Sequence, residues 1–317
     1  MRFYTAIMRK FLLSFLLVPF QLMAQGTWGP DVRLTTHSAI QRTRIWDNGR
    51  NLIVDSQDRV YVVWMDEREG DSDIFLRKFE NGVWQSEVHV TLNETYQSDS
   101  RNPSLMIRPA FGLDPEMLWI AWVDNPGTQS PAPPYEAYYK TYNTVTGQLS
   151  DLANLSSSGG DPVVFRTSGY GASRNGISMT SNNDGSKVYI FYANDLGNDP
   201  DGGPLGRVMT RTFENGSLGP EVGVSELGNW GRLFPFALAD NAGNTFLAHN
   251  KVSPPRVAFR IRNAFGAWGS EIDLGTLDQK TFAYNHGVPW FDRDDVGDIH
   301  VSWHGGVMDN RKIYYRK

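Results

Sequence analysis

Short apolar runs separated by polar turns recur along most of this chain. The clearest example spans residues 49–91, where four extended runs follow one another at residues 51–55, 60–66, 74–79 and 83–91. β-Branched and aromatic residues alternate within these runs, and Asn81-Gly82 marks a tight turn, as in an antiparallel meander. A four-stranded unit of this kind cannot bury both of its faces alone, so it needs neighbours of the same type.

The same unit recurs along the rest of the chain. Later units begin near Arg101, Arg174, Arg232 and His286. The last unit stops after three runs, and residues 26–35 match the fourth run that it lacks. Repeated four-stranded units predict an all-β fold, a β-propeller of five antiparallel blades whose ring is closed by the N-terminal strand joining the last blade. Six blades are the alternative, with the extra blade in residues 157–173.

The N-terminal residues have the pattern of a secretory signal. An apolar run at residues 11–20 follows three basic side chains, Arg2, Arg9 and Lys10. Ala24 supplies a small residue at the expected cleavage site. The apolar run is short for a membrane span, although an uncleaved anchor is the alternative. We therefore expect a signal peptide at residues 1–24.

Composition indicates a globular, β-rich protein with a large core. The 317 residues are 40% hydrophobic and 13% aromatic, and the formal net charge is −5. The scattered basic residues do not suit a nucleic-acid surface, and no run after residue 24 is apolar enough to span a membrane. The absence of cysteine excludes disulfides, thiolate metal sites and a cysteine nucleophile. We expect one domain at residues 25–317, a secreted or periplasmic monomer without cofactor or metal.

Candidate binding residues precede the first strand of each predicted blade. Aligning the five units places one basic residue at the same relative position in each, namely Arg50, Arg101, Arg174, Arg232 and His286. First strands line the channel of a propeller, so these side chains are expected to ring its entrance. Guanidinium groups bind carboxylates or sulfates through paired hydrogen bonds, which predicts an anion site. The alternative is that each arginine ties one blade to the next.

Tryptophan occurs at two kinds of position in the repeat. Residues that flank the starts of first strands could stack on sugar rings, and these are Trp46, Trp230 and Trp290. Residues that recur at one position of the second strand are predicted to be core between blades, and these are Trp64, Trp122 and Trp303.

The repeat resembles the BNR-repeat, sialidase-like β-propellers of secreted bacterial proteins. The second run VYVVW and the closing pattern G-x-W-G-x-E carry the resemblance, which covers nearly all of the chain after residue 24. Segments around Trp28, Trp84 and Trp268 resemble the Asp-box of that family without its leading Ser and Asp. The resemblance implies six blades as the usual number. It also implies an acidic glycan as ligand, since sialidases hold the substrate carboxylate with three arginines.

The residues near the predicted channel entrance are compatible with two enzymatic functions and one non-catalytic function of the protein. A glycosidase would use Asp47 as general acid and Tyr284 as nucleophile or stabiliser, because sialidases are known to use tyrosine. A polysaccharide lyase would share proton abstraction between Tyr284 and His286 or His304. The alternative is a propeller that binds glycan or protein at a cell surface without catalysis.

Several other polar residues on the same predicted face have simpler explanations. Asp66 and Asp124 end second strands, and we interpret them as turn residues rather than catalytic groups. For His249 and His304, packing or a surface position is favoured over proton transfer. The acidic run at residues 66–73 lacks the spacing of a calcium loop and is interpreted as a solvated turn.

Overall fold

A computed structural model gives the fold for residues 31–35, 37–38, 41–42, 50–92, 100–124, 136–155, 157–158, 161–162, 177–198, 204–226, 228–229, 232–251, 256–274, 289–294, 296–307 and 310–317. Every regular element in these residues is a β-strand, so the expected all-β class is confirmed. None of these residues forms a long apolar helix that could cross a membrane.

The chain divides into two compact units, Met1–Thr36 and His37–Lys317. In the first unit only residues 31–35 are described, and they contain no strand. The predicted signal peptide lies outside the described residues. The closing strand predicted at residues 26–35 therefore stays a prediction.

The first sheet of the second unit contains six strands built on the meander that the sequence predicted. Its third and fourth strands pair in register from Val60 with Phe79 to Asp66 with Asp73. Two short strands share the other edge of the third strand, and two more pair with the fourth. The strands are β1 (Gln41–Arg42), β2 (Leu52–Val54), β3 (Val60–Asp66), β4 (Asp73–Glu80), β5 (Val83–Trp84) and β6 (Val88–His89).

The second and third sheets repeat this meander with antiparallel neighbours. The second sheet has the order β10-β9-β8-β7, and the third has β13-β14-β15-β16 with two further strands on β15. The second sheet contains β7 (Arg101–Arg108), β8 (Met117–Asp124), β9 (Glu136–Asn143) and β10 (Ala153–Asn154). A separate pair follows, β11 (Ser157–Ser158) and β12 (Asp161–Pro162). The third sheet contains β13 (Ser178–Ser181), β14 (Lys187–Asn198), β15 (Pro204–Glu214), β16 (Ser217–Leu218), β17 (Val222–Gly223) and β18 (Gly228–Asn229).

The fourth and fifth sheets complete the described part of the chain. The fourth has the order β19-β20-β21-β22, and the fifth has β23-β24-β25. The fourth sheet contains β19 (Arg232–Ala239), β20 (Thr245–Lys251), β21 (Arg256–Arg262) and β22 (Ile272–Asp273). The fifth contains β23 (Trp290–Arg293), β24 (Ile299–Val307) and β25 (Asn310–Arg316).

The turn after the first strand is built in the same way in four of the five sheets. An Asp or Asn side chain at its start accepts a hydrogen bond from a backbone N–H four or five residues later, as at Asp55, Asn182, Asp240 and Asp294. The residue three positions on has positive φ, at Asp58, Gly185, Gly243 and Gly297. These side-chain bonds replace ladder bonds at the sheet end and fix a tight hairpin.

Neighbouring sheets pack through the residues of their second strands. Tyr61, Val63 and Met65 of the first sheet share a buried cluster with Ile120 and Trp122 of the second. Equivalent clusters join the second sheet to the third, the third to the fourth and the fourth to the fifth. The prediction of a tryptophan core is confirmed, since only 2%, 0% and 4% of the surface is exposed for Trp64, Trp122 and Trp303.

First strands of successive sheets also lie side by side. The N–H of Leu105 donates to the carbonyl of Arg50 over 2.7 Å, which joins the second sheet to the first. The Ser181 hydroxyl donates to Ile107 O over 3.3 Å, and the N–H of Ala237 donates to Ser178 Oγ over 2.9 Å. The first strands of the first four sheets are thus adjacent in chain order, as a propeller axis requires.

Candidate functional site

Three of the predicted arginines belong to the described part of the chain, namely Arg50, Arg101 and Arg232. Arg50 and Arg101 lie at different distances along the first strands. Arg50 directly precedes β2, and its carbonyl lies beside the N–H of Leu105. Arg101 begins β7 four residues before Leu105, which is roughly 10 Å along the strand. Arg50 therefore lies deeper along the first strands than Arg101.

The sheet register corrects the expected alignment of these arginines. In β7 an extra residue lies between Arg101, which pairs with Val123, and Ser104, which pairs with Ala121. The same bulge occurs in β19, but there it lies between Leu233 and Phe236. Arg232 precedes Leu233 by one residue, so it does not occupy the position of Arg101. The expectation that the repeated basic residues stand at one equivalent position is wrong for the arginines whose strands are described.

The Arg50 side chain reaches across to the fourth sheet. Its guanidinium carbon lies 5.5 Å from the centroid of the Phe236 ring on β19. Burial lowers the pKa of the half-buried Arg50 guanidinium, and the negative charge of Asp292 on β23 partly opposes that effect. No hydrogen bond or ion pair of this side chain occurs with any residue that the structure describes. Its N–H donors are therefore available to a ligand.

The fifth sheet supplies an aromatic ring and a carboxylate next to Arg50. In β23, Phe291 is buried in the core, while Trp290 and Asp292 are exposed on the other face because side chains alternate along a strand. The Trp290 ring lies 4.7 Å from the Phe236 ring between centroids, and 45% of its surface is exposed. Trp290 was predicted as a ligand-binding residue, and the structure places it with Arg50 around Phe236.

Asp292 was not identified from the sequence as a residue near Arg50. The signal was present in the run Trp290-Phe291-Asp292. If the phenylalanine is core, its two neighbours must share the opposite face. Arg50 provides hydrogen-bond donors, Asp292 provides an acceptor and Trp290 provides an exposed aromatic surface. These are the groups that fix a polar ligand in a protein site. We call Arg50, Phe236, Trp290 and Asp292 the Arg50 cluster.

The remaining predicted site residues are not tested. Six of them lie outside the described residues, namely Trp46, Asp47, Arg174, Trp230, Tyr284 and His286. His304 is described only by its backbone, which pairs with Ile313 in the fifth sheet. Arg232 is likewise described by its backbone pairing with Lys251.

Asp66 and Asp124 end their strands as structural carboxylates. Trp64 Nε1 donates to Asp66 Oδ2 over 3.3 Å, and Trp122 Nε1 makes the equivalent bond to Asp124 over 3.4 Å. Burial would raise the pKa of Asp66, but the hydrogen bond from the Arg68 side chain holds it below its ordinary value. These contacts agree with the interpretation of both residues as strand-end groups. No cluster of three or more metal-binding side chains occurs in the described parts of the chain.

His249 is buried in a charged cluster of the fourth sheet rather than exposed to a ligand. Its Nε2 lies 3.2 Å from Glu271 Oε2, and Lys251 Nζ lies 2.7 Å from the other carboxylate oxygen of Glu271. The histidine side chain is fully buried and that of Glu271 is almost so. The favoured interpretation of His249 was packing or a surface position rather than proton transfer, and the structure shows packing. Glu271 is the last residue of a G-x-W-G-x-E pattern, which therefore has a structural role here.

Similarity to known proteins is confined to three-dimensional structure. No protein-family model matches the sequence, and no curated protein sequence matches it. A solved structure of a Hadza microbial sialidase matches with a TM-score of 0.55 and 9% identity, over 80% of this chain and 52% of that one. This chain therefore spans about half the length of that sialidase.

Two further solved structures match at lower TM-scores. An endo-arabinase from Bacteroides thetaiotaomicron has a TM-score of 0.42 and 10% identity, over 84% of this chain and 93% of that one. The Trypanosoma rangeli sialidase has a TM-score of 0.47 and 11% identity, over 84% of this chain and 46% of that one.

The fold defines the class of the protein. The described residues form antiparallel meanders of three to six strands that pack in chain order through their second strands. Together with the match to the Hadza microbial sialidase, this arrangement indicates a β-propeller fold that resembles the fold of that protein. At 9% identity the likeness concerns the fold and carries no residue from one protein to the other.

Proposed function

We propose that this protein is an exported glycoside hydrolase that binds and cleaves an acidic glycan at the Arg50 cluster. Each of the five sheets is one blade. Export follows from the signal-like residues 1–24. The acidic group of the glycan is a sialic acid or uronic acid carboxylate, or a sulfate.

The observation that carries this proposal is the state of the Arg50 guanidinium. The group is half-buried against Phe236, yet it has no hydrogen-bonding or ion-pairing partner among the described residues. None of its nitrogen atoms is among the fully buried unpaired atoms of the described residues, so these donors are not sealed inside the protein. A carboxylate or sulfate of a ligand would accept from two of its N–H groups at once.

Trp290 supports a sugar as the group that carries the acid. It is exposed at the start of β23 and contacts the same Phe236 ring as Arg50. Its exposed aromatic face can stack on the apolar face of a sugar ring. The fold adds support, because it is similar to that of the Hadza microbial sialidase over 80% of this chain.

Catalysis in this proposal is assigned to groups outside the described residues. Asp47 acts as general acid and Tyr284 as nucleophile or stabiliser, as in the glycosidases that use tyrosine. A lyase would instead abstract a proton with Tyr284 and His286 or His304. Arg101, Arg174 and Arg232, with Trp46 and Trp230, extend the ligand-binding surface.

The proposal is tested by incubating the purified protein with sialosides, uronate polysaccharides and sulfated glycans. Released reducing sugar indicates hydrolysis, and new unsaturated chain ends indicate a lyase. Hydrolysis of at least one acidic glycan, lost in Tyr284→Phe or Asp47→Asn, is the expected result. Binding without any product contradicts the enzyme and leaves a glycan-binding propeller. Absence of binding by all three classes contradicts the acidic-glycan ligand as well.

A further inference from the structure

The Arg50 cluster contains one positive and one negative charge. The Asp292 carboxylate lies on the same face of β23 as Trp290, whose ring packs against the Phe236 ring that Arg50 covers. Its charge opposes the effect of burial on the pKa of Arg50, yet the two form no ion pair in the described structure. Arg101, the next described arginine at a strand start, lies roughly 10 Å further along the first strands. A ligand that places one acidic group on Arg50 therefore meets Asp292 before it meets Arg101.

Asp292 is available to a ligand. The side chain is exposed, and its Oδ1 accepts a hydrogen bond from the N–H of Arg293 over 2.9 Å. Its other carboxylate oxygen has no hydrogen bond from the residues that the structure describes. His300, which pairs with Asp292 across the sheet, uses its two ring nitrogens on Tyr315 and Asp294 instead.

We infer that the Arg50 cluster selects glycans in which one acidic sugar is joined to an uncharged sugar, and that Asp292 rejects runs of acidic sugars. This inference rests on the proposed function and specifies its substrate class. A hydroxyl or acetamido group of an uncharged sugar donates a hydrogen bond to Asp292. A second carboxylate or sulfate at that place would be repelled by the like charge.

Trp290 favours the same ligand. Its exposed face can cover the apolar face of a sugar ring, and the contact needs no charge on that sugar. Trp290 and Asp292 lie two residues apart on one face of β23, so one sugar unit can touch both. The acidic sugar then occupies Arg50, and its uncharged neighbour occupies Trp290 and Asp292.

The test compares matched trisaccharides by titration calorimetry on the full mature chain. One pair is a single sialic acid on a neutral disaccharide and a trimer of sialic acid. The other pair is a single uronic acid on a neutral disaccharide and a trimer of the same uronic acid. We expect the trisaccharide with one acidic unit to bind at least about tenfold more tightly than its acidic trimer.

The Asp292→Asn variant removes the negative charge but nearly keeps the shape of the side chain, so it separates charge repulsion from steric effects. The substitution should raise affinity for the acidic trimer about tenfold and change affinity for the singly acidic trisaccharide less than about threefold. Asp151→Asn is the matched control, because it removes the same charge from an exposed position on the second sheet. It should leave both affinities unchanged.

The outcomes distinguish this inference from the function on which it rests. Equal affinity for the two members of a pair, or an unchanged ratio in Asp292→Asn, overturns the selection by Asp292 and leaves acidic-glycan binding intact. Failure of all four trisaccharides to bind overturns both. A preference for the trimers would show that further cationic groups, rather than Asp292, face the second sugar.

Discussion

Nε of Arg59 lies 2.5 Å from Oδ2 of Asp55, and the same guanidinium donates from Nη1 to the carbonyl of Thr144 over 2.8 Å. One buried side chain thus joins the first hairpin turn of the first sheet to the outer turn of the second. The Tyr61 hydroxyl also donates to Asp55, over 3.1 Å. This network holds two neighbouring sheets together at the turn between the end of β2 and the start of β3.

Asp55→Ala should strongly destabilise the protein. The substitution leaves the Arg59 charge buried without its closest partner, which costs roughly 3–5 kcal/mol in the free energy of unfolding. Urea unfolding followed by tryptophan fluorescence measures the loss. Asp151→Ala, at an exposed position, should change stability by less than about 0.5 kcal/mol. Similar small effects for both variants would show that the network does not contribute.

The stability of the protein should fall at acidic pH because of the Asp55 carboxylate. Burial would raise the pKa of Asp55, but hydrogen bonds from the Arg59 and Gln57 backbone, the Arg59 guanidinium and the Tyr61 hydroxyl hold it below its ordinary value. A carboxylate with a lower pKa in the folded chain stabilises the fold above the unfolded pKa, and this contribution is lost as pH falls through the folded pKa. The urea midpoint should therefore decrease below about pH 4.

Asp55→Asn provides the control for this pH dependence. The variant cannot titrate at residue 55, so its urea midpoint should vary less between about pH 2 and pH 5 than that of the unmodified protein. Asp66, whose pKa is also lowered in the folded chain, contributes to the slope that remains. An identical slope in the two proteins would contradict the role assigned to Asp55.

Glu271→Ala should be much more harmful than removal of an exposed ion pair. The substitution leaves His249 and Lys251 without the carboxylate that lies between them, at an expected cost of roughly 3 kcal/mol. Glu214→Ala removes a pair with Lys187 in which both side chains are more than one third exposed, and should cost no more than about 1 kcal/mol. Equal effects on the unfolding free energy would show that the buried cluster is not stabilising.

Gly185→Ala should disrupt the contact between the second and third sheets. A β-carbon at Gly185 would lie 2.3 Å from the carbonyl oxygen of Pro109, and its φ of +69° is already unfavourable for alanine. Gly297 has a φ of +94° at the equivalent turn of the fifth sheet, but nothing lies within 4 Å of its added β-carbon. We expect Gly297→Ala to cost about 1–2 kcal/mol, and Gly185→Ala to cost more. Thermal unfolding compares the two, and equal losses would contradict the steric argument.

The strands could be predicted from the sequence because their signals are local. The β-branched and aromatic run at residues 60–66 became β3 with the same bounds, Val60–Asp66. Asn81 and Gly82 both have positive φ in the turn between β4 and β5, as their side chains indicate. Burial of the second-strand tryptophans could also be predicted, because these residues recur at one position of the strand.

The levels of the arginines could not be predicted, because they depend on bulges. A single extra residue in β7 or β19 shifts the residues before the bulge by one position relative to the paired strand. The apolar pattern of the sequence is nearly unchanged by that shift. Asn102 absorbs the bulge of β7 at a φ of +57°. The meeting of Arg50 with Phe236 and Asp292 depends on sheets that are distant in sequence, so no local pattern reveals it.

Binding of a singly acidic trisaccharide to Arg50→Met tests the central claim most directly. Methionine keeps an apolar side chain against Phe236 but removes every N–H donor, so affinity should fall roughly 10- to 100-fold, the worth of a charge-assisted hydrogen bond. Arg77→Met is the matched control, because Arg77 also lies over an aromatic ring, that of Trp84, at the outer edge of the first sheet. It should leave affinity unchanged. Equal affinity in Arg50→Met and the unmodified protein would contradict the account.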